Sequence, residues 1–380
     1  MRPFLRPLFL LLLAISSYSI SKGQDVHFSQ FYNQPLILNP AFAGLNYDLR
    51  VGVQGQKLYY KIPYSFSASN FVIDKSLPLA AGGGGIGLLV TQDVAGAGLL
   101  KTNSAELAYS YKIVPFPASV TRKYDVLQFG LKFGAYQHSI DASRLILNDQ
   151  LDPVAGLVRS SASSLTDLAS INNKIYPDFS VGALYRFNHY KRGKDRNIRK
   201  INATQLISVS YSHMMRPDEG LLNTIGALPS RLSLHYSLAL PLHPHSRDRM
   251  NELIYLAAIY QMQFGNRFQE MMYGANIKER NVYFGLWWRK RNFYPINKNV
   301  DALIFATGVE YIKMHNNKSK VIHNYIAYRF GYNYDFTVNR LIGASGGSHE
   351  ISLSFCLLSR KKFKFDADKG KGLRSNCYYF

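Results

Sequence analysis

The 380-residue sequence contains only two cysteines, Cys356 and Cys377. Two thiols in a chain of this length do not make the disulfide framework of a small secreted domain. The pattern leaves open whether the two form one bridge or remain free thiols. Cysteine chemistry therefore says little about the fold.

The sequence also lacks long apolar runs. After residue 24 there is no stretch of about eighteen apolar residues, which excludes a conventional transmembrane helix. The short apolar run from Leu8 to Ile15 follows Arg2 and Arg6 and precedes small residues that end at Gly23. This order is typical of a cleaved signal peptide over residues 1–23, which makes Gln24 the first mature residue. An exported chain without a membrane helix is either soluble outside the inner membrane or a β-barrel.

Charged residues are scarce at 18%, and acidic ones are the scarcer kind, with 24 Asp and Glu against 45 Lys and Arg. The resulting net charge of +21 suits nucleic acid, anionic lipid or an acidic partner. Because the chain is exported, nucleic acid is excluded as a partner. The basic residues cluster at Lys191 to Lys200 and at Arg360 to Lys371, where we expect them to face lipid headgroups or periplasmic proteins.

Aromatic residues are abundant, with 27 Tyr and 23 Phe. A helical membrane protein would be more apolar than this chain, whose mean hydropathy is −0.13, and a soluble enzyme would carry more charge. A β-barrel lies between these classes because only alternate strand residues face lipid, and its aromatic residues form girdles at the membrane interfaces.

Apolar and polar residues alternate along many segments, which is the pattern of a β-strand. In residues 231–240, four leucines and Tyr236 share one face, whereas Ser233, His235 and Ser237 share the other. The adjacent Trp287 and Trp288 must likewise face opposite sides. We expect the large apolar faces to contact lipid and the faces of Gly, Ser and single charges to line the interior. Fourteen such segments are predicted, at residues 48–60, 65–74, 83–92, 101–113, 125–138, 176–188, 203–213, 230–242, 252–264, 267–278, 281–290, 301–313, 323–337 and 348–358.

The sequence therefore predicts an all-β fold, a transmembrane antiparallel β-barrel of about 14 strands in the outer membrane. The predicted parts are an extended N-terminal arm over residues 24–47, the barrel over 48–358 and a basic periplasmic tail over 359–380. An even number of strands places both ends of the barrel on the periplasmic side, with residues 139–175 as a long outward loop.

The arm, from Gln24 to Gly44, has neither strand nor helix period and combines Asn and Gln with aromatic residues and two prolines. Buried Asn and Gln side chains need hydrogen-bond partners. Three arrangements satisfy this sequence: an arm that lies inside the barrel against its polar lining, an arm that docks on a partner, and a disordered leader.

The same run resembles the N-terminal signature of the PorP/SprF family of type IX secretion membrane proteins from Bacteroidota. Further segments that resemble the family are residues 149–153, 332–336 and 347–353, and the basic tail with Cys377 near Phe380. The chain departs from the family at Tyr378 and Tyr379, where proline is often expected, which puts any role of the tail in doubt. The signature is carried by Gln24, Asp25, His27, Phe28, Ser29, Gln30, Phe31, Tyr32, Pro35, Leu36, Leu38, Asn39, Pro40, Ala41, Ala43 and Gly44.

The resemblance implies an outer-membrane barrel attached to the secretion machinery, some members being core parts and others dedicated partners of large secreted adhesins. The partners it implies are a secreted adhesin or other type IX cargo and periplasmic secretion components, with outer-membrane lipid around the barrel. We hypothesise that partner binding uses Gln24, Asp25, His27, Phe28, Ser29, Gln30, Phe31, Tyr32, Asn39, Pro40 and Gly44.

Patterns for chemistry are weak. His243 and His245 flank a proline in a predicted turn, and His349-Glu350 lacks the H-E-x-x-H spacing of a zinc site. The glycines at residues 82–87 are not followed by the Lys-Ser/Thr of a phosphate loop. We therefore expect no enzymatic activity, no metal and no cofactor. Two other functions remain open, an outer-membrane solute channel or transporter and a purely structural surface anchor for an adhesin.

Overall fold

The computed structural model describes residues 26–45, 48–78, 83–113, 125–141, 144, 151–152, 154, 156–157, 174–192, 199–219, 227–243, 252–264, 268–291, 300–316 and 323–360. The predicted signal peptide, Gln24, Asp25 and the tail beyond residue 360, including Cys377, lie outside these residues. Among the helices that are described, none is long and apolar enough to cross a membrane.

Fourteen strands form one closed antiparallel barrel in which β1 pairs with both β2 and β16. A separate two-stranded hairpin, β6 with β7, lies in the connection between β5 and β8. The strands are β1 (Leu49–Lys57), β2 (Ser67–Ser76), β3 (Gly85–Ala95), β4 (Leu100–Ile113), β5 (Val126–Ser139), β6 (Leu151–Asp152), β7 (Gly156–Leu157), β8 (Lys174–Arg192), β9 (Arg199–Ser212), β10 (Arg231–Pro241), β11 (Leu253–Gln263), β12 (Gln269–Glu279), β13 (Val282–Arg291), β14 (Val300–Asn316), β15 (His323–Thr337) and β16 (Ser348–Arg360).

Each predicted segment coincides with one barrel strand, so the fold class and the strand count are confirmed. The alternation also places the faces as predicted. On β10, Leu234 and Tyr236 are about 40% exposed on the outer wall, whereas Ser233, His235 and Ser237 are buried. Trp287 is buried inside and Trp288 is exposed outside. Closure leaves no unpaired edge, which is what a sheet needs in lipid.

The two ends of the barrel differ in their connections. We call the end at which β1 finishes and β2 begins, at Lys57 and Ser67, the outer end, and the opposite end the inner end. The two longest connections, over residues 140–173 and 213–230, both lie at the outer end. Longer loops face outside the cell in outer-membrane barrels, which gives this end its name.

Candidate functional site: the arm inside the barrel

The N-terminal arm lies within the barrel and not outside it. Two short 3-10 helices, Pro35–Ile37 and Pro40–Phe42, begin at its two prolines. Proline suits this position because its fixed φ fits the first turn of a helix and its missing N–H is not needed there. The arm side chains from Phe28 to Leu36 are all buried. Of the three arrangements that the sequence allowed, the structure shows the first.

The arm runs through the lumen from the outer end to the inner end. Near its start, His27 contacts Gln261 at 3.1 Å and Glu270 at 2.9 Å, both close to the outer ends of β11 and β12. At its other end, the backbone N–H of Gly44 donates to Asp74 at 3.0 Å, close to the inner end of β2. The arm therefore spans the distance between the two mouths.

Carboxylates of the wall hold the outer half of the arm. The backbone N–H groups of Ser29 and Gln30 donate to the two carboxylate oxygens of Glu350 at 2.7 and 2.8 Å, and Ser29 Oγ donates to Asp335 at 2.7 Å. Arg289 joins Asp335 at 2.8 Å and Asp301 at 3.0 Å. These partners matter because a buried charge without hydrogen bonds costs several kcal/mol.

An aromatic cluster surrounds the next two residues. The ring of Tyr32 is stacked on that of Trp287 at 5.5 Å, and Phe31 meets Trp287 edge-on at 5.3 Å. Phe31 also contacts His235 at 5.8 Å, and Tyr32 contacts Tyr255 at 6.4 Å. All five side chains are buried. Aromatic pairs of this geometry add about 0.5–1.5 kcal/mol each beyond the burial of their area.

Asn39 fixes the inner half of the arm. Its amide nitrogen donates to the carbonyl oxygens of Ala183 at 3.1 Å and Val209 at 2.9 Å, which belong to neighbouring strands. Its amide oxygen accepts from the N–H of Ala41 at 2.8 Å and so caps the second short helix. One side chain therefore joins the arm to two strands and sets its local conformation.

The carbonyl of Ala43 is bound in the same way by the wall, since Ser110 and Gln128 both donate to it at 2.8 Å. Hydrogen bonds and ion pairs together join the arm to β2, β4, β5, β8, β9, β11, β12, β13, β15 and β16. The arm therefore contacts most of the circumference of the barrel.

Two wall glycines allow this close approach. A Cβ atom at Gly130 would lie 2.2 Å from the backbone nitrogen of Ala41, and one at Gly182 would lie 2.0 Å from Asn39 Oδ1. Both distances are shorter than any side chain tolerates. The inner wall is shaped to the arm that occupies it.

The partner-binding residues predicted from the sequence are thus brought together in the lumen, where their observed contacts are with the barrel itself. Gln24 and Asp25 lie outside the described residues. A role of the others in binding a second protein stays a prediction. Sequence reasoning missed the wall residues Glu350, Trp287 and Asp335, although the alternation had placed one of the two adjacent tryptophans inside.

Within the part of the chain that the structure describes, no three His, Cys, Asp or Glu side chains cluster as metal ligands do. His243 Nε2 lies 3.1 Å from a carboxylate oxygen of Glu252, and His349 shares a hydrogen bond with Tyr332 at 2.8 Å. His245 lies outside the described residues. Cys356 is buried in the wall and forms no disulfide with any residue that the structure describes, while Cys377 lies outside those residues.

Comparison with protein families identifies the family of this barrel. The family model described as type IX secretion system membrane protein PorP/SprF matches residues 20–355 of the chain. The chain belongs to the PorP/SprF family. It is accordingly an outer-membrane β-barrel of the type IX secretion system, as the arm signature implied. None of the curated proteins matches this PorP/SprF chain.

Several solved barrels are similar to this PorP/SprF protein at low identity. CdiB from Acinetobacter baumannii is 11% identical with a TM-score of 0.35, and the match covers 82% of this chain and 60% of CdiB. BamA from Haemophilus ducreyi lacking POTRA domains 1-3 is 10% identical with a TM-score of 0.33, covering 83% and 70%. The TodX deltaS2S3 mutant monoaromatic hydrocarbon channel is 11% identical with a TM-score of 0.36, covering 87% and 94%.

Proposed function

We propose that this protein is a closed docking component of the type IX machinery, which binds secreted or periplasmic protein partners and catalyses no reaction. The partners in this proposal are a secreted adhesin or other cargo at the outer end and periplasmic secretion components at the inner end. The observation that carries it is the arm, which crosses the lumen from mouth to mouth and is bonded to ten of the barrel strands.

Because the arm fills the lumen, we expect partners to bind at the two ends of the barrel. At the outer end, the connections between strands carry exposed apolar side chains. Tyr64 is 63% exposed, Met215 57% and Ile342 54%. Contiguous exposed apolar patches mark sites of protein contact, and we infer that these side chains contribute to such a site.

The connection that carries Ile342 is held in place by side chains and backbone. Asn339 donates to Asp301 at 2.8 Å and accepts from the N–H of Leu341 at 2.8 Å. The N–H of Lys61 donates to the carbonyl of Ser345 at 3.2 Å, which joins the connection of Tyr64 to that of Ile342. A partner that docks here meets a surface already formed, which lowers the entropic cost of binding.

The test begins with deletion of the gene and quantitative comparison of surface-bound and released proteins. We expect at least one exported protein to lose its surface position, and the wild-type gene to restore it. The double variant Tyr64→Ser/Ile342→Ser is expected to restore the barrel but not the surface protein. Val154→Ser is the matched control, because Val154 is 96% exposed in another outer connection. An unchanged surface proteome in the deletion strain would overturn the proposal.

Two other functions make different predictions in the same strains. A structural anchor without a part in export would release its adhesin into the medium, whereas an export component would leave it inside the cell. If the protein is a solute channel, vesicles that contain it should take up a small solute. The arm that fills the lumen argues against such uptake.

A further inference from the structure

The described arm runs from the outer end of the barrel to the inner end. The arm starts at the outer end, where Val26 precedes His27 and its contacts to Gln261 and Glu270. It finishes at the inner end, where Gly44 lies against Asp74 and Gly85. The chain then turns back, since Asp48 already bonds to Leu357 and Ser76 at the inner end of the sheet.

The first strand repeats the passage in the opposite sense. β1 begins at Leu49, paired with Leu357 and Lys75 at the inner end, and finishes at Lys57, paired with His349 and Ser67 at the outer end. The polypeptide thus crosses the membrane region once inside the lumen before its first strand crosses it in the wall.

We propose that the start of the arm, at Val26 and His27, is presented at the outer mouth on the outside of the cell. The arm therefore starts at the outer mouth, although both ends of the barrel sheet are at the inner end.

The residues of the arm differ in their exposure to solvent. His27 retains some solvent exposure, with 13% of its side chain accessible, whereas Phe31, Leu36 and Ala41 are at most 2% exposed. At the inner end Leu45 is also buried, at 5%. Among the described arm residues Val26, His27 and Ile37 keep some exposure, and of these Val26 and His27 lie at the outer mouth, where a second protein can reach the arm. That this protein is an exported partner rests on the proposed function, whereas the position of the arm does not.

The test is cysteine labelling of intact cells with a membrane-impermeant maleimide, in a chain with Cys356→Ala and Cys377→Ser. Val26→Cys reports the start of the arm. Tyr64→Cys marks the outer end, and Asn281→Cys marks the inner end, since Asn281 is exposed in the turn between β12 and β13. We expect Val26→Cys and Tyr64→Cys to react on intact cells and Asn281→Cys to react only after the outer membrane is permeabilised.

Two results would overturn the proposal. One is reaction of Val26→Cys only under the conditions in which Asn281→Cys reacts. The other is protection of Val26→Cys on both sides while the denatured protein reacts fully, which would enclose the start of the arm in the lumen. Heat-modifiable migration checks that each barrel is folded, and Asp25→Cys replaces Val26→Cys if that variant fails to assemble. Labelling requires no partner, so its outcome is independent of the surface-protein comparison that tests the proposed function.

Discussion

Replacement of Trp287 by alanine removes an indole that packs against two aromatic residues of the arm. Trp287 is fully buried, stacks on Tyr32 at 5.5 Å and meets Phe31 at 5.3 Å. Its indole N–H donates to Asn276 at 2.8 Å. Trp287→Ala therefore opens a cavity between the wall and the arm and removes the donor that satisfies a buried amide oxygen.

The size of the effect follows from burial. Truncation of a buried Trp or Phe to Ala costs about 3–5 kcal/mol. An acceptor left unpaired adds about 1–3 kcal/mol, unless water enters the new cavity and bonds to it. The cavity borders the polar oxygen of Asn276, which favours entry of water. We therefore expect a total loss of about 3–5 kcal/mol in the free energy of unfolding.

The neighbouring tryptophan supplies the control. Trp288 is 36% exposed on the outer wall and stacks on Tyr273 at 6.1 Å. Trp288→Ala removes one aromatic pair, worth about 0.5–1.5 kcal/mol, and lipid chains can fill the space. Urea unfolding of both variants in lipid vesicles measures the two losses, and protease cleavage of the arm shows whether Trp287→Ala releases it.

Equal losses for the two variants would refute this reasoning, since both are alanine substitutions of adjacent residues in one strand. So would an arm that remains as resistant to protease in Trp287→Ala as in the wild type. A larger loss for Trp287→Ala, accompanied by cleavage of the arm, is the expected result.

Three further substitutions act on other contacts between the arm and the wall. Gly130→Ala should displace the arm and lower the unfolding free energy by about 1–3 kcal/mol, the usual cost of overpacking. Gly55→Ala is the control, because a Cβ atom at Gly55 meets no atom closer than 4.0 Å. Equal urea midpoints for the two variants would contradict the close approach of Gly130 to Ala41. Glu350→Ala leaves the backbone N–H groups of Ser29 and Gln30 without their acceptor, which should lower the unfolding free energy by about 1–3 kcal/mol for each group. Hydrogen exchange of these two amides should become faster. Unchanged exchange would show that Glu350 does not hold the arm. Asn39→Ala removes the hydrogen bonds to two strands and the cap of the second short helix. Protease should cleave the arm of this variant faster than that of the wild type. An unchanged cleavage rate would show that Asn39 does not hold the arm.

The barrel itself was predictable because its strands need only a local rule. Alternation along a strand assigns one face to lipid and one to the interior, so residues such as Leu234 and His235 reveal their environment without knowledge of any neighbour. Strand ends were less predictable. β8 extends over Lys174–Arg192, beyond the predicted 176–188, because polar residues at its inner end do not alternate.

The position of the arm was not predictable from its residues alone. Its Asn and Gln side chains require partners, but the partners of Gln30 and Asn39 come from strands more than a hundred residues away. Sequence patterns carry no register between such distant segments. The resemblance to PorP/SprF supplied the family, and the packing against Glu350 and Trp287 supplied the site.

Single-channel recording in planar lipid bilayers tests most directly whether the arm closes the barrel. The wild-type protein is expected to show little or no steady conductance, because the arm contacts wall residues from β2 to β16 across the lumen. A variant that lacks residues 24–44 and still shows heat-modifiable migration is expected to open a steady pore. A large steady conductance of the wild-type protein, or identical recordings from the two, would contradict the account.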